Sequence, residues 1–333
     1  MKTTAIMLQT LCVPCHCHCR YCLLSWDGTT IGADYARSED YARRFYDWVR
    51  ANRPELRFSF SFGYSMEHPD LFRAVEFLRS IGSPGAEFLQ FDGMRCRDRA
   101  ELEALTAGLA ARGVKHLNFT FYGQEAYHDR FAARRGDFRL MLDTADAALG
   151  AGLQISARVP LTRENARQVH GLVGLLRAHG FAPIQLFVAH GEGRGAALEP
   201  VRLTRAELEG LEDEDKALLN REVYRTEAEW LRPGALTPAE RRALLISLTP
   251  ENLDRFEAAG FAEVIREVEE LDEAYYAALP APEALAARYG DPEGGSFYSR
   301  RDLYHLYQKQ YIADQGLRLY DVTDERQCGS RRY

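Results

Sequence analysis

No stretch of this 333-residue chain approaches the roughly 20 consecutive apolar residues of a membrane span, and its start lacks the apolar core of a secretory leader. No long cluster of Lys or Arg appears and the net charge is −7, so non-specific nucleic-acid binding has no electrostatic footing. There are no internal repeats, and the one biased tract is the acidic run Glu207–Asp215, which reads as a solvated helix face. Cysteine is scarce outside one place: of seven, only Cys96 and Cys328 lie beyond Cys22. Thiols crowded into a single loop of a long chain do not make a disulfide framework. With 46% hydrophobic and 27% charged residues, what remains is an ordinary globular composition with ample core, expected in the cytoplasm and away from membranes.

The first 190 residues alternate between two patterns. Strand-like runs fall at Ala5–Leu11, Leu56–Phe62, Glu87–Phe91, His116–Phe121, Leu153–Val159 and Ile184–Val188. Between them apolar residues recur at helical spacing, as in Tyr41, Phe45 and Trp48, or Leu71, Val75 and Leu78. Gly82, Gly113, Gly152 and Gly180 each precede a strand, where helices commonly end. Such alternation implies parallel strands with crossover helices, an α/β fold of six units. After Gly195 the pattern becomes mainly helical, with helices expected over Thr204–Trp230, Thr237–Leu248, Pro250–Gly260, Phe261–Leu279 and Pro282–Tyr289. Thr204, Thr237 and Thr249 read as their N-caps. The tail Ser296–Tyr333 holds six tyrosines, with a strand expected at Leu317–Val322.

Five cysteines lie between Cys12 and Cys22, in Leu11-Cys-Val-Pro-Cys-His-Cys-His-Cys-Arg-Tyr-Cys-Leu-Leu24. Cys12-x2-Cys15 with Cys19-x2-Cys22 is one pairing, a zinc site. Only three residues separate those pairs, against about 12–20 in typical zinc loops. Cys15-x3-Cys19-x2-Cys22 is the other, a short loop that can wrap a single iron–sulfur cube.

That second spacing, with Tyr21 directly before the last cysteine, resembles the cluster loop of the radical S-adenosylmethionine (radical SAM) superfamily. The resemblance covers roughly the first 195 residues and implies a partial (β/α)6 TIM-like barrel carrying a mainly helical C-terminal extension, with domains 1–195 and 196–333. It implies one [4Fe–4S] cluster on Cys15, Cys19 and Cys22, whose open iron binds SAM. Reductive cleavage of SAM then yields a 5'-deoxyadenosyl radical that abstracts hydrogen from a substrate. The family's Gly-Gly-Glu motif, which meets the methionyl part of SAM, falls on Gly63, Tyr64 and Ser65, a departure that replaces its glutamate. Tyr21 matches a position near the adenine, Ser156 and Arg158 match polar contacts of the fifth strand, and Val188 and Ala189 end the sixth. Pairing of Arg158 with Asp92 or Glu67 is the competing reading. Asn118-Phe-Thr-Phe-Tyr-Gly123, Tyr127-His-Asp129 and Gly136-Asp-Phe138 resemble the branch with molybdenum-cofactor and peptide-modifying members. A peptide or small-metabolite substrate is expected, and a reductase such as flavodoxin or ferredoxin as electron donor. A second cluster is not, because a lone Cys328 cannot hold one. Cys12, Cys17, Cys96 and Cys328 read as free thiols. No catalytic side chain is assigned. A non-catalytic zinc module or an iron–sulfur electron carrier remains the alternative class.

Overall fold

Ile6 and Leu8 are fully buried while Met7 between them is partly exposed, the period-two burial of a strand with one face on a core. In the computed structural model, which describes residues 2–10, 15–22, 34–62, 66–91, 93–191, 193–237 and 241–319, they belong to β1 (Lys2–Thr10). The chain continues through α1 (Tyr35–Asn52), β2 (Arg57–Ser61), α2 (Leu71–Ser80), β3 (Phe88–Gln90), α3 (Arg99–Ala111) and β4 (His116–Thr120). Two helices, α4 (Glu125–Phe131) and α5 (Asp137–Gly150), then lead to β5 (Gln154–Leu161), followed by α6 (Val169–Ala178) and β6 (Ile184–Val188). All six expected strands are present. At the end of α3, Gly113 takes φ +82°, a conformation that favours glycine and turns the chain back towards β4.

The second half differs from its expected helical course. Thr204–Trp230 is not one helix but α7 (Arg205–Glu209), α8 (Asp213–Lys216), β7 (Tyr224–Thr226) and α9 (Glu227–Trp230). Gly210 closes the first of these, and β7 is drawn off to pair antiparallel with β9 (Phe297–Ser299). Arg241–Leu248, expected within a helix, is a strand, β8. It runs parallel to β1 with Ile6 opposite Leu244 and Leu8 opposite Ile246. Leu244, Ile246 and Leu248 alternate into the core, and the free edge of β1 outweighs the Thr237 cap signal. The later helices α10 (Pro250–Ala258), α11 (Phe261–Ala277) and α12 (Pro282–Tyr289) fall where expected, and α13 (Arg300–Asp314) follows β9. Leu317–Leu319 form no strand, and the rest of that expected element lies outside the described residues, as do Cys12 and Cys328.

Beside the β7–β9 pair, the strands form two parallel sheets, β2–β1–β8 and β3–β4–β5–β6, in an α/β architecture. One face of the second sheet packs under the helices through Leu89, Leu117, Phe119, Ile155, Ala157, Val159 and Leu186, all buried. Residues of opposite parity, among them Gln90, Asn118, Ser156 and Arg158, turn to the other side and line a cleft. The outer edge of β6 is covered where the Leu186 N–H donates to the Leu218 carbonyl at 3.0 Å.

Candidate functional site

The cysteine loop is stitched to the carboxyl end of the second sheet by its own backbone. The N–H groups of His16, His18 and Arg20 donate to the carbonyls of Gly93, Ala132 and Phe131 at 2.9, 2.8 and 3.0 Å. Gly93 follows β3, while Phe131 and Ala132 end α4. Gly93 sits at φ +69°, and a Cβ there would come within 2.3 Å of Cys15 Sγ. Only glycine allows that approach. Cys17 joins a small buried cluster with Tyr122, Tyr127, Phe131 and Ala189, against which Cys15, Cys19 and Tyr21 pack. The loop therefore lies over the ends of β3, β4 and β6, the side of parallel barrels where active sites form.

The four described thiols of the loop are not equivalent. Cys15, Cys19 and Cys22 are half-buried, whereas Cys17 is buried. Cys17 Sγ sits 3.6 Å from both carboxylate oxygens of Asp137. That carboxylate also accepts from Arg134 and from His128 Nε2, each at 3.1 Å. His128 Nδ1 accepts the Tyr122 N–H, so the proton resides on Nε2 and a neutral ring satisfies both bonds. Burial raises the Asp137 pKa, with His128 and Arg134 pulling the other way. Hydrogen bonds from Cys15 and Cys19 hold the Cys17 thiol down at about 2, against burial and with help from Arg134. Cys19 moves well up, through its hydrogen bond with Cys17 and through burial, although Tyr122 OH lies 3.1 Å from its sulfur.

Asp129 accepts the Gly136 and Phe138 N–H groups at 2.6 and 3.0 Å, anchoring the start of α5 and with it Asp137. Asn165 donates to the carbonyls of Tyr122 and Pro160 at 2.8 and 2.7 Å, tying the ends of β4 and β5. Sequence reasoning picked out the segments holding Asp129 and Asp137 without giving those side chains a task, and gave Asn165 none. Their polar spacing around short strand ends was the available signal.

Of the residues expected at SAM, Tyr21 and Ala189 stand beside the cysteine loop. Tyr21 meets Tyr122 edge-on at 5.5 Å and Phe187 at 6.4 Å. Val188 belongs to the large core. Ser156 and Arg158 lie further back along β5, on its cleft side, where Ser156 Oγ is 2.6 Å from His116 Nε2 and accepts Asn118 Nδ2 at 2.7 Å. Glu67 is engaged by Arg97 at 2.7 Å and Arg95 at 3.7 Å, not by Arg158. Gly63, Tyr64, Ser65 and Asp92 lie outside the described residues.

Among the described residues no three His, Cys, Asp or Glu side chains are drawn together as a metal-ion site. The donors nonetheless fit an iron–sulfur cube in kind, because such clusters take thiolates. They fit in exposure too: the half-buried thiols are those of the C-x3-C-x2-C spacing, and the intervening Cys17 is buried, against Asp137 on one side and the sulfurs of Cys15 and Cys19 on the other.

No protein-family model matches the chain, and no curated protein does. Among solved structures it is similar to SuiB of Streptococcus suis bound to its precursor peptide SuiA, at 11% identity and a TM-score of 0.41, over 57% of this chain and 40% of that one. It is similar to HemN of Escherichia coli, a coproporphyrinogen III oxidase and radical SAM enzyme, at 12% identity and a TM-score of 0.40, over 93% and 91% of the two chains. A third similar structure is anSMEcpe with bound AdoMet and a Cp18Cys peptide, at 14% identity and a TM-score of 0.38, over 56% and 51%. The chain thus spans about two fifths of the SuiB length.

Proposed function

We propose that this chain is a radical SAM enzyme that abstracts hydrogen from a peptide or small-metabolite substrate. The observation that carries the reading is the cysteine loop, which presents Cys15, Cys19 and Cys22 half-buried over the carboxyl ends of parallel strands. A [4Fe–4S] cluster on these thiolates, with SAM at its open iron, supplies a 5'-deoxyadenosyl radical by reductive cleavage. The protein's part is to hold, orient and shield. The Gly93, Phe131 and Ala132 carbonyls fix the loop, and Asp137 packs against the Cys17 sulfur. Tyr21 and Ala189 border the space for the adenosyl group, and Gly63, Tyr64 and Ser65 are assigned to its methionyl end. Residues after Gly195 cover the barrel and select substrate, in keeping with buried Tyr224 of β7, whose hydroxyl feels the charge of Arg158. The fourth-strand segment from Asn118 to Phe138 favours a peptide in a maturation pathway, with a flavodoxin- or ferredoxin-type reductase as partner.

The test is anaerobic reconstitution followed by dithionite reduction with SAM. About four irons and four sulfides per chain are expected, with formation of 5'-deoxyadenosine and methionine. A colourless zinc-loaded protein, or a cluster that leaves SAM intact, would replace this reading with a zinc module or an electron carrier.

A further inference from the structure

The face of β3–β6 turned away from the helices borders a cleft of about 440 Å³, in part apolar through Phe88, Ala157 and Pro183. Its lining also includes Gln90, His116, Asn118, Ser156, Arg158 and Gln185. Several of these groups satisfy one another. Gln90 Nε2 donates to Thr120 Oγ1 at 2.9 Å, and Ser156 Oγ joins Asn118 Nδ2 and His116 Nε2. Two atoms are left over: Asn118 Oδ1 and Arg158 Nε are buried without a hydrogen-bond partner. Buried polar atoms are rarely left so, and each calls for a cause.

Arg158 is the one charged residue in that lining. Among the described residues no carboxylate lies within ion-pair distance of it. Its guanidinium rests over the Phe187 ring at 4.7 Å, and Phe187 lies 6.4 Å from Tyr21 of the cysteine loop. The cation is thus one aromatic ring away from the candidate reaction centre. A half-buried charge with no carboxylate partner among the described residues is costly, and an anion bound there would relieve it. Unlike Arg158, Asn118 Oδ1 lacks a donor rather than an acceptor, so the complement carries an N–H or O–H beside its negative charge. One permanent cation in the lining matches a monoanion better than a phosphate dianion.

We propose that this cleft holds a carboxylate of the substrate on Arg158, with a neighbouring substrate N–H or O–H directed at Asn118. The grouping occurs in a peptide C-terminus or an N-acylated amino acid. The word "substrate" rests on the radical SAM reading, but the binding does not, and the experiment separates the two. N-acetylglycine carries both groups, and N-acetylglycinamide is its uncharged twin. Each is titrated into the cluster-loaded protein at constant ionic strength, with the thermal midpoint as readout. A saturable rise is expected with the acid and not with the amide. Arg158→Gln should weaken the acid by about tenfold or more, the loss of one charge-assisted contact. Gln185→Glu places a carboxylate directly opposite Arg158 in the β5–β6 register, on an exposed side chain, and should abolish the preference for the acid. SAM should not compete with the probe.

Equal shifts from acid and amide would overturn the proposal, as would a Gln185→Glu protein that binds like wild type. Tighter binding of inorganic phosphate would assign the site to a phosphate instead. Competition by SAM would give the carboxylate to the cofactor and remove it from the substrate. SAM cleavage by the wild-type protein is scored separately: its failure with acid binding intact sinks the enzyme reading and leaves the carboxylate site standing.

Discussion

Cys17 lies between two expected ligands and differs from them in being buried, although its sulfur also meets those of Cys15 and Cys19. Its Sγ points to Asp137, 120 residues away, and its neighbours Tyr122, Phe131 and Ala189 exclude water from it. Cys17→Ala should therefore keep about four irons per chain while lowering stability by about 1 kcal/mol, a small cavity's cost, read from urea unfolding. Cys15→Ala, Cys19→Ala and Cys22→Ala should each lose the cluster. Iron loss in the Cys17 variant would make that thiol a ligand. The spacing of the candidate ligands is plain in the sequence, because a C-x3-C-x2-C loop is a local pattern. The carboxylate beside Cys17 is not, because only tertiary folding brings Asp137 beneath the loop. His68 offers a pH test at the same scale. It packs against Tyr35 at 4.2 Å between ring centroids, and burial pushes its pKa below the ordinary 6.5, ahead of opposing pulls from Asp70 and Glu39. The unfolded chain then binds a proton that the folded one refuses, so this contribution is whole above pH 6.5 and declines as the pH falls through the lowered value. His68→Asn, whose amide oxygen can replace Nδ1 as acceptor for the Asp70 N–H, should flatten part of that acid-side decline. An unfolding free energy that falls just as steeply from about pH 7 to 5 in the variant would exclude His68 as its source.

The strand β8 shows what local pattern reading cannot decide. Ala243-Leu-Leu-Ile-Ser-Leu248 is a short apolar run, and such runs suit a buried strand and a helix alike. The Thr-Pro pair before it looks like a helix start, while the deciding partner, β1, lies at the other end of the chain. The six earlier strands escaped this ambiguity because helices of regular spacing separated them. Two expected outcomes follow from the pairing with β1. Ile246→Asp should cost about 4 kcal/mol or more, as burial of an unpaired charge does. Because β8 is an edge strand bonded to β1 alone among the described strands, every second amide of Leu244–Leu248 should exchange slowly. Uniform protection of consecutive amides would instead report a helix.

At the scale of the molecule, the two halves of the chain are joined by more than β8. The described part of the aromatic tail builds a core of its own: Tyr298, Leu303 and Tyr307 are buried together with Trp230, whose Nε1 donates to the Tyr298 carbonyl at 2.9 Å. Deleting Ser296–Tyr333 would therefore remove core, not an appendage. The joint between this unit and the barrel is Arg202, only 4% exposed. It donates to the Ala189 carbonyl just past β6 and to the Phe297 carbonyl of β9, at 3.1 and 3.3 Å. It also pairs with Asp302 at 3.0 Å and with Glu199, and lies over the Tyr298 ring at 4.1 Å. Burial works against its charge, but Asp302 and Glu199 outweigh it and hold the pKa above the ordinary arginine value. Asp302 in turn accepts the Gly191 N–H at 2.7 Å, so one buried cation organises the strand end that borders the cysteine loop. Removing one partner of a buried ion pair leaves the other charge stranded, at about 3–5 kcal/mol. Arg202→Met should lose that much in urea unfolding and make residues 193–237 more susceptible to proteolysis than the first sheet. Replacing Asp302 by Leu as well should restore part of the loss, since the buried carboxylate is then gone and only the more exposed Glu199 is left without its arginine. A single variant as stable as wild type, or a double variant no better than the single, would show that the halves are held together by apolar packing and β8, with Arg202 a passenger.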